Sequence, residues 1–125
     1  ILIIDQLDKI NVEGKYNATH EKLREVYRQA RELAKRHNIL VIGMSQASAE
    51  AQGRSRVTFS VMENSKTGKS AEADVILGLG KEDEIENYLD DCIRFVTLSK
   101  NKLTGDHAEF EVILRPTISR YAERN

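Results

Sequence analysis

Two apolar runs in this chain each end in a side chain that could serve a nucleotide. The segment ILIID, residues 1–5, is four aliphatic residues followed by Asp5. A carboxylate at the tip of a buried strand is placed to hold Mg²⁺, directly or through water, beside nucleotide phosphates. The segment LVIGMSQ, residues 40–46, delivers the amide of Gln46, which can reach a terminal phosphate or an attacking water. The alternatives are an aspartate that caps the next turn and a polar residue that closes a strand.

The triplet Gly68-Lys69-Ser70 has the form in which a phosphate-binding P-loop ends. A P-loop also requires a glycine five residues before Gly68, but that position is Glu63, and a carboxylate there would repel a phosphate. A long helix should follow, yet only five residues separate Lys69 from the apolar run that starts at Val75. The triplet is therefore predicted to lie in a solvated basic loop.

The elements around these residues follow from hydrophobic periodicity. Residues 1–5, 39–44 and 74–79 are predicted to be buried strands, because each is an unbroken run of aliphatic residues. Residues 19–37 have one apolar stripe at spacings of three and four, which predicts a helix with Thr19 as N-cap and Asn38 at its end. Residues 57–62 alternate and suggest a short strand or ribbon. Residues 92–99 and 108–114 alternate across a turn at Gly105, which predicts an antiparallel hairpin, and residues 118–121 suggest a last strand.

This order of elements predicts an α/β fold, with one sheet that has parallel strands at its centre and an antiparallel hairpin at its edge. Ligands of such sheets bind at the carboxyl ends of the strands, where Asp5 and Gln46 are expected. Residues 47–72 form a long connection, which is usually functional or mobile.

Composition limits the class of protein. The chain has 125 residues, 40% hydrophobic and 31% charged, which is typical of one soluble domain without a membrane span. Its net charge of −1 conceals an asymmetry: residues 54–70 carry four basic side chains against Glu63, and residues 81–91 carry six acidic ones against Lys81. A nucleic-acid-binding face is therefore compatible with the total. Cys92 has no second cysteine with which to pair, which fits a reducing compartment.

Four segments, taken in order, resemble the C-terminal half of a RecA-type motor domain. They are ILIIDQLDKI, ARELAKRHNILVIGMSQ, SAEADVILGL and VTLSKNKLTGDHAEFEV. The resemblance covers almost the whole chain and is greatest to the hexameric DnaB-type replicative DNA helicases of bacteria and phages. It implies a RecA-like P-loop NTPase core in which residues 1–125 are the C-terminal part, with the Walker A motif absent. The start at Ile1, within a strand pattern and without methionine, leads to the same expectation of a fragment.

The resemblance also implies roles for individual residues. Asp5 matches the Walker B aspartate that serves Mg²⁺, and Gln46 matches the glutamine that senses the γ-phosphate of ATP. The segment Asn64-Ser65-Lys66-Thr67-Gly68-Lys69 matches the loop that lines the central channel and holds single-stranded DNA. Backbone amides and lysines of such a loop contact phosphates without reading bases. Arg54 and Arg56, earlier in the same connection, are expected to share this task; the alternative is a disordered surface loop.

The stretch SKNKLTG matches the hairpin that reaches the nucleotide of the neighbouring subunit. Lys100 and Lys102 alternate on one predicted strand, so both are expected on one face, where two cations can stabilise charge on the γ-phosphate. The DnaB-type pattern has arginine at the position of Lys102, and lysine cannot form the bidentate contact of an arginine. RecA itself has paired lysines in KNK. The alternative is a pair of solvated lysines at a sheet edge.

The resulting expectation is an ATP-hydrolysing, ring-forming replicative helicase that uses ATP and Mg²⁺ and acts in the cytoplasm of a bacterium or a phage-infected cell. Its implied partners are single-stranded DNA, further copies of itself in a hexameric ring, and primase, with no membrane. The fragment alone is expected to be inactive. Two other interpretations stay open: a RecA-like strand-exchange ATPase that forms filaments, and a non-catalytic DNA-binding module on the same fold.

Overall fold

The computed structural model describes residues 1–61, 68–83 and 91–124. The chain divides into two units. The first contains Ile1–Gln46 with residues 68–73, and the second contains Ala47–Val61 with residues 74–124. Strands alternate with helices in the first unit, and the second consists of strands and turns, so the α/β class is confirmed.

The first unit is built on a parallel pair of strands. Strand β1, Leu2–Ile4, pairs with β2, Val41–Gly43, so that Leu2 is opposite Val41 and Ile4 is opposite Gly43. Helix α1, Thr19–His37, is the crossover between them, as parallel strands require. It begins one residue earlier than predicted, since Ala18 occupies the N-cap position and Thr19 is already helical.

Helix α1 ends as its sequence predicts. Asn38 adopts a left-handed conformation with φ of 48°, which asparagine tolerates better than most residues, and its N–H reaches the carbonyls of Ala34 and Lys35. Basic residues occupy the last turn, where they interact favourably with the helix dipole.

The core of the first unit lies between α1 and a 3₁₀ turn, Leu7–Lys9, that directly follows β1. Leu7, Val26 and Tyr27 are buried there, and Ile4, Val12 and Ala30 pack against them. A short helix, α2, covers only Lys69–Glu72. The guanidinium of Arg31 on α1 donates to the carbonyl of Glu72 at 2.5 Å, which fixes the end of α2.

The strands are less buried than their sequences predict. In β1 and just before it, Ile1 and Ile3 are 85% and 62% exposed, and Leu40 and Ile42 are also exposed beside and within β2. An unbroken aliphatic run predicts a strand that is covered on both faces, but here the helix covers one face only. The expectation of complete burial is therefore wrong for these strands.

The second unit contains an antiparallel sheet in the order β3-β4-β5-β6 among the described residues. Its strands are β3, Val75–Gly80; β4, Ile93–Asn101; β5, Glu109–Arg115; and β6, Arg120–Glu123. A 3₁₀ turn at Pro116–Ile118 separates β5 from β6. The predicted hairpin corresponds to β4 and β5 and is confirmed, with Phe95 opposite Glu111.

Two expectations about the sheet are wrong. Within the described residues, β3 pairs with β4 in an antiparallel sense and β1 pairs with β2, so the expected single sheet with a parallel centre is not observed. An apolar run predicts a strand but does not fix the direction of its neighbour. The alternating segment from Val57 contains a 3₁₀ turn, Phe59–Val61, instead of a strand. Hydroxyl groups explain this, because Ser99 accepts the N–H of Phe59 at 2.6 Å and offers it a partner outside any ladder.

Across the part of the chain that the structure describes, no helix combines the length and the apolar character needed to cross a membrane.

Candidate functional site

The parallel pairing of β1 and β2 places Asp5 and Gln46 at the same edge of the first unit. Ile4 is opposite Gly43, so Asp5 follows one strand by one residue and Gln46 follows the other by three. The pairing continues past the strands, because Met44 donates its N–H to Ile4 at 3.0 Å and Leu7 donates to Met44 at 2.8 Å. Both predicted side chains are exposed at the carboxyl ends of adjacent parallel strands, where ligands of α/β proteins bind.

A left-handed residue makes the turn that leaves Asp5 at the surface. Gln6 has φ of 55° and ψ of 71°, a conformation that is uncommon for a residue other than glycine. Leu7, two residues after the exposed Asp5, is buried in the core. A strained backbone beside a candidate site is often part of how the site is organised.

A cavity of about 220 Å³ opens beside this turn and beside Gln46. It is lined by residues from the turn after β1, from α1, from the segment after β2 and from α2. The lining residues are Gln6, Asp8, Lys9, Thr19, Leu23, Gln46 and Lys69.

The chemistry of Asp5 fits a magnesium ion that is held mainly by phosphates and water. Magnesium in nucleotide sites uses one or two carboxylates and keeps several waters. A single exposed carboxylate at a strand end meets that need, but it could not form a closed protein cage. In residues 1–61, 68–83 and 91–124, no group of three or more metal-binding side chains is brought together.

Lys69 lies in an environment different from the expected one. Its side chain is only 1% exposed, and its ammonium is 2.8 Å from the carboxylate of Asp8. It also lies 3.5 Å from the hydroxyl of Ser45 and 5.6 Å from the ring centre of Tyr27. The expectation that Lys69 belongs to a solvated loop is wrong, because its charge is buried and paired. The helix that begins at Lys69 has only four residues, which disagrees with the long helix that follows a P-loop.

Asp8 is the centre of this buried cluster. It accepts hydrogen bonds from Ser45 and Tyr27, each at 2.8 Å, in addition to the ion pair with Lys69. Partial burial alone would raise the pKa of Asp8, but the three donors outweigh it and the pKa lies below its ordinary value. Burial also raises the pKa of Tyr27, so the phenol stays protonated as a donor.

The rest of the predicted DNA-binding segment is described only at its end. Asn64, Ser65, Lys66 and Thr67 lie outside the described residues. Gly68 has φ of 84°, which a glycine adopts readily, and it leads directly into α2.

Arg54 and Arg56 lie on a segment of the second unit that packs against β3. A Cβ atom added at Gly78 would overlap the carbonyl of Val57, and one added at Gly80 would overlap the carbonyl of Ser55. The two glycines therefore allow residues 54–57 to lie directly on the strand. Both arginines are exposed, and Arg56 is 3.9 Å from Glu109, a separation that adds little stability at a surface.

Lys100 and Lys102 occupy different parts of the β4–β5 hairpin. Lys100 is half-buried in β4 opposite Ile76, whereas Lys102 follows the strand and lies in the turn. A register shift at this end of the β3–β4 pairing further interrupts the alternation. The expectation that strand alternation places Lys100 and Lys102 on one face is therefore wrong, because Lys102 is not part of the strand.

The tip of this hairpin is organised by Asn101, whose role the sequence analysis missed. Its side-chain oxygen accepts the N–H groups of Leu103 and Thr104, at 3.0 and 3.3 Å, and its amide donates to the Thr104 hydroxyl at 2.7 Å. Lys102 is held as well, since its N–H donates to Asp74 at 2.9 Å. Asparagine favours turns because its side chain accepts hydrogen bonds from the backbone N–H groups that follow it. The role of Asn101 could therefore have been predicted from the sequence.

Asp8, Ser45 and Tyr27 were also missed. Asp8 follows Asp5 by three residues and Ser45 precedes Gln46, so both are close in sequence to the predicted site. No local pattern indicates that Lys69 would join them, because that contact depends on how α2 packs on α1.

The comparisons with known proteins concern the fold. No family model matches the sequence, and no curated protein matches it. A solved DnaB-like replicative helicase, described together with its interactions with primase, superposes with a TM-score of 0.81 at 20% identity, over 98% of this chain and 30% of that one. A second solved structure, described as an ATPase domain, superposes with a TM-score of 0.83 at 19% identity, over 98% of this chain and 44% of that one. The chain thus has the fold of part of these two proteins and spans less than half the length of each.

Proposed function

We propose that this chain is the C-terminal part of an ATP-driven, DnaB-type replicative DNA helicase motor. One observation carries the proposal: the parallel pairing of β1 and β2 brings Asp5 and Gln46 to the same edge of the unit. The likeness in fold to a DnaB-like helicase and to a second solved ATPase domain supports it. The whole protein would form a ring, act in the cytoplasm of a bacterium or a phage-infected cell, and work with primase.

The residues of the first unit would serve ATP. Bound Mg²⁺ supplies positive charge beside the nucleotide phosphates. Asp5 would hold that ion, with waters completing its coordination, because its carboxylate is exposed at the strand tip. Gln46 would orient the attacking water or the terminal phosphate with its amide. Its place on the cavity wall, beside Gln6, leaves the amide accessible.

The residues of the second unit would serve DNA and the neighbouring subunit. Arg54 and Arg56 are exposed on a segment that packs on β3, so their charges are offered from a fixed backbone. Such contacts bind phosphates without regard to sequence. Lys102, in a turn that Asn101 organises, would reach the nucleotide of the adjacent subunit, and Lys100 would support it from the strand. Asn64 to Thr67 are proposed as further DNA contacts on the resemblance alone.

The test measures ATP turnover by the full-length protein that contains this chain. Asp5→Asn and Gln46→Ala should each lower turnover by about a hundredfold or more, as expected when a contact to the reacting groups is lost. Matched controls are Glu123→Gln, an exposed carboxylate on β6, and Gln29→Ala, an exposed amide on α1. We expect both controls to retain turnover.

Two results would contradict the proposal. Turnover that survives Asp5→Asn would remove the proposed metal site. Electron micrographs with polar filaments in place of closed rings would favour strand exchange over unwinding.

A further inference from the structure

The burial of the charged side chain of Lys69 is not explained by the roles proposed for Asp5 and Gln46. A lysine that is 1% exposed loses the hydration of its ammonium, and this loss is not always recovered by the ion pair that replaces it. Apolar residues of similar volume often stabilise a protein as well as a buried ion pair does. The presence of Lys69 in the core therefore points to a directional role, since an ammonium fixes the position of its partners and an apolar group does not.

The partners of Lys69 are next to the two proposed nucleotide residues. Asp8 belongs to the 3₁₀ turn that follows Asp5, and Ser45 immediately precedes Gln46. The carboxylate of Asp8 joins them, because one of its oxygens lies 2.8 Å from the ammonium and 2.8 Å from the hydroxyl of Ser45. The ends of β1 and β2 are therefore linked through one charged side chain.

The cluster is complete as a network of polar contacts. The second oxygen of Asp8 accepts the phenol of Tyr27 at 2.8 Å, which connects the same carboxylate to the middle of α1. In the described part of the chain, no buried side-chain nitrogen or oxygen lacks a hydrogen-bond partner. A buried network in which each polar atom has a partner favours one arrangement of its members.

We propose that Lys69 is a positioning residue: through Asp8 and Ser45 it holds the turn that carries Asp5 and the strand end that carries Gln46 in register. The proposal rests on the proposed function, because it assigns Lys69 to the nucleotide site instead of to DNA. Lys69 begins α2, whose other end is fixed by Arg31. The position of α2 is thus tied to both strand ends.

The first experiment compares a neutral pair with a broken one in the full-length protein. Lys69→Met leaves the partly buried carboxylate of Asp8 without its cation, so both stability and turnover should fall. In Lys69→Met/Asp8→Asn the charge is removed from both partners. The amide oxygen can accept a hydrogen bond from one of the two hydroxyls, Ser45 or Tyr27, and the amide NH₂ can donate to the oxygen of the other. We expect stability to recover while kcat stays about tenfold below wild type, within the range of couplings through shared contacts, and KM changes little.

A matched control distinguishes this from a general effect of losing a lysine. Lys35→Met removes a cation from the same helix-rich unit, where Lys35 forms an exposed pair with Glu32 at 3.4 Å. It should leave stability, kcat and KM close to wild type. If the double variant regains both stability and kcat, Lys69 is only structural and the proposal is overturned.

The second experiment does not require activity. Amide exchange should accelerate by roughly tenfold at Leu7 and Met44 in the double variant, because these N–H groups form the bonds that extend the pairing toward Asp5 and Gln46. The N–H of Leu2, which donates to Leu40 at the opposite end of the pair, is the internal reference and should not change.

The two experiments separate failure of the positioning role from failure of the function. Unchanged exchange at Leu7 and Met44 overturns the role of Lys69 whatever the turnover. Faster exchange in a protein whose wild type shows no turnover that depends on Asp5 supports the anchoring by Lys69 and contradicts the proposed function.

Discussion

The phenol of Tyr27, in the middle of α1, donates a hydrogen bond to the carboxylate of Asp8 at 2.8 Å. This bond joins the longest helix of the described chain to the turn after β1. Together with Ser45 and Lys69 it favours the ionised carboxylate, and the pKa of Asp8 is lowered although burial alone would raise it. The stability of the first unit should therefore depend on the charge of Asp8.

Acid should remove this contribution. A carboxyl group whose folded pKa is lowered stabilises the protein fully above its unfolded pKa of about 3.9, and loses that contribution as the pH falls through the folded value. We expect the difference in unfolding free energy between wild type and Asp8→Asn to be constant from pH 7 to about pH 5 and to shrink below about pH 4. Denaturant unfolding at a series of pH values measures it. A difference that stays constant down to pH 3 would contradict the contacts assigned to Asp8.

The glycines of β3 should be sensitive to a single added carbon. Gly78→Ala would place a Cβ against the backbone carbonyl of Val57, which cannot rotate away, so we expect a loss of about 1–3 kcal/mol of stability. Leu77→Thr is the control, since Leu77 is exposed on the same strand and its replacement should change stability by less than about 0.5 kcal/mol. Equal, small effects of the two changes would show that residues 54–57 do not lie on β3.

Salt dependence tests the arginines of that segment. Each phosphate contact to single-stranded DNA contributes a slope of about −0.7 to the plot of log affinity against log salt. Arg54→Ala/Arg56→Ala in the full-length protein should weaken binding and reduce the slope by up to about 1.4. Arg115→Ala, an exposed arginine at the end of β5, is the control. If the double variant and the control have the same slope, these arginines do not contact the strand.

The proposed action of Lys102 across subunits can be tested by mixing. Rings of Lys102→Ala alone, or of Asp5→Asn alone, should have little turnover. In an equimolar mixture, roughly a quarter of the head-to-tail interfaces would combine an intact Asp5 with an intact Lys102, so part of the turnover should return. The ATP turnover of mixtures at several ratios measures this. A mixture no more active than its components would place Lys102 outside the neighbour's site. In a separate test, Lys102→Arg should retain activity if a cation is all that is required at this position.

The sequence was informative where the signal was local. The apolar stripe of residues 19–37, with Asn38 at its end, predicted α1 almost to the residue. The strand tips of Asp5 and Gln46 were predicted to meet, and the parallel pairing of β1 and β2 agrees. These features depend on neighbours a few residues apart, or on the rule that a helix connects parallel strands.

The sequence was misleading where the outcome depended on distant partners. Lys69 was predicted to lie in a solvated loop because Glu63 and the short distance to Val75 do not fit a P-loop. Its partner Asp8 is 61 residues earlier in the sequence, and only the packing of α2 brings the two together. The direction of β3 could not be known, since Val75 to Leu79 would suit a parallel or an antiparallel neighbour equally. The segment from Val57 alternates as a strand does, but its hydroxyl groups favour a 3₁₀ turn.

The burial of Lys69 also affects how this protein can be studied by chemical modification. Surface-reactive acylating reagents label an ammonium only where solvent reaches it, and protection of a lysine in the presence of DNA is commonly taken as a sign of contact. With 1% of its side chain accessible, Lys69 would be unlabelled whether or not DNA is bound. The absence of labelling at Lys69 would therefore indicate that the fold is intact, and new labelling at Lys69 would be an early sign that the first unit has opened.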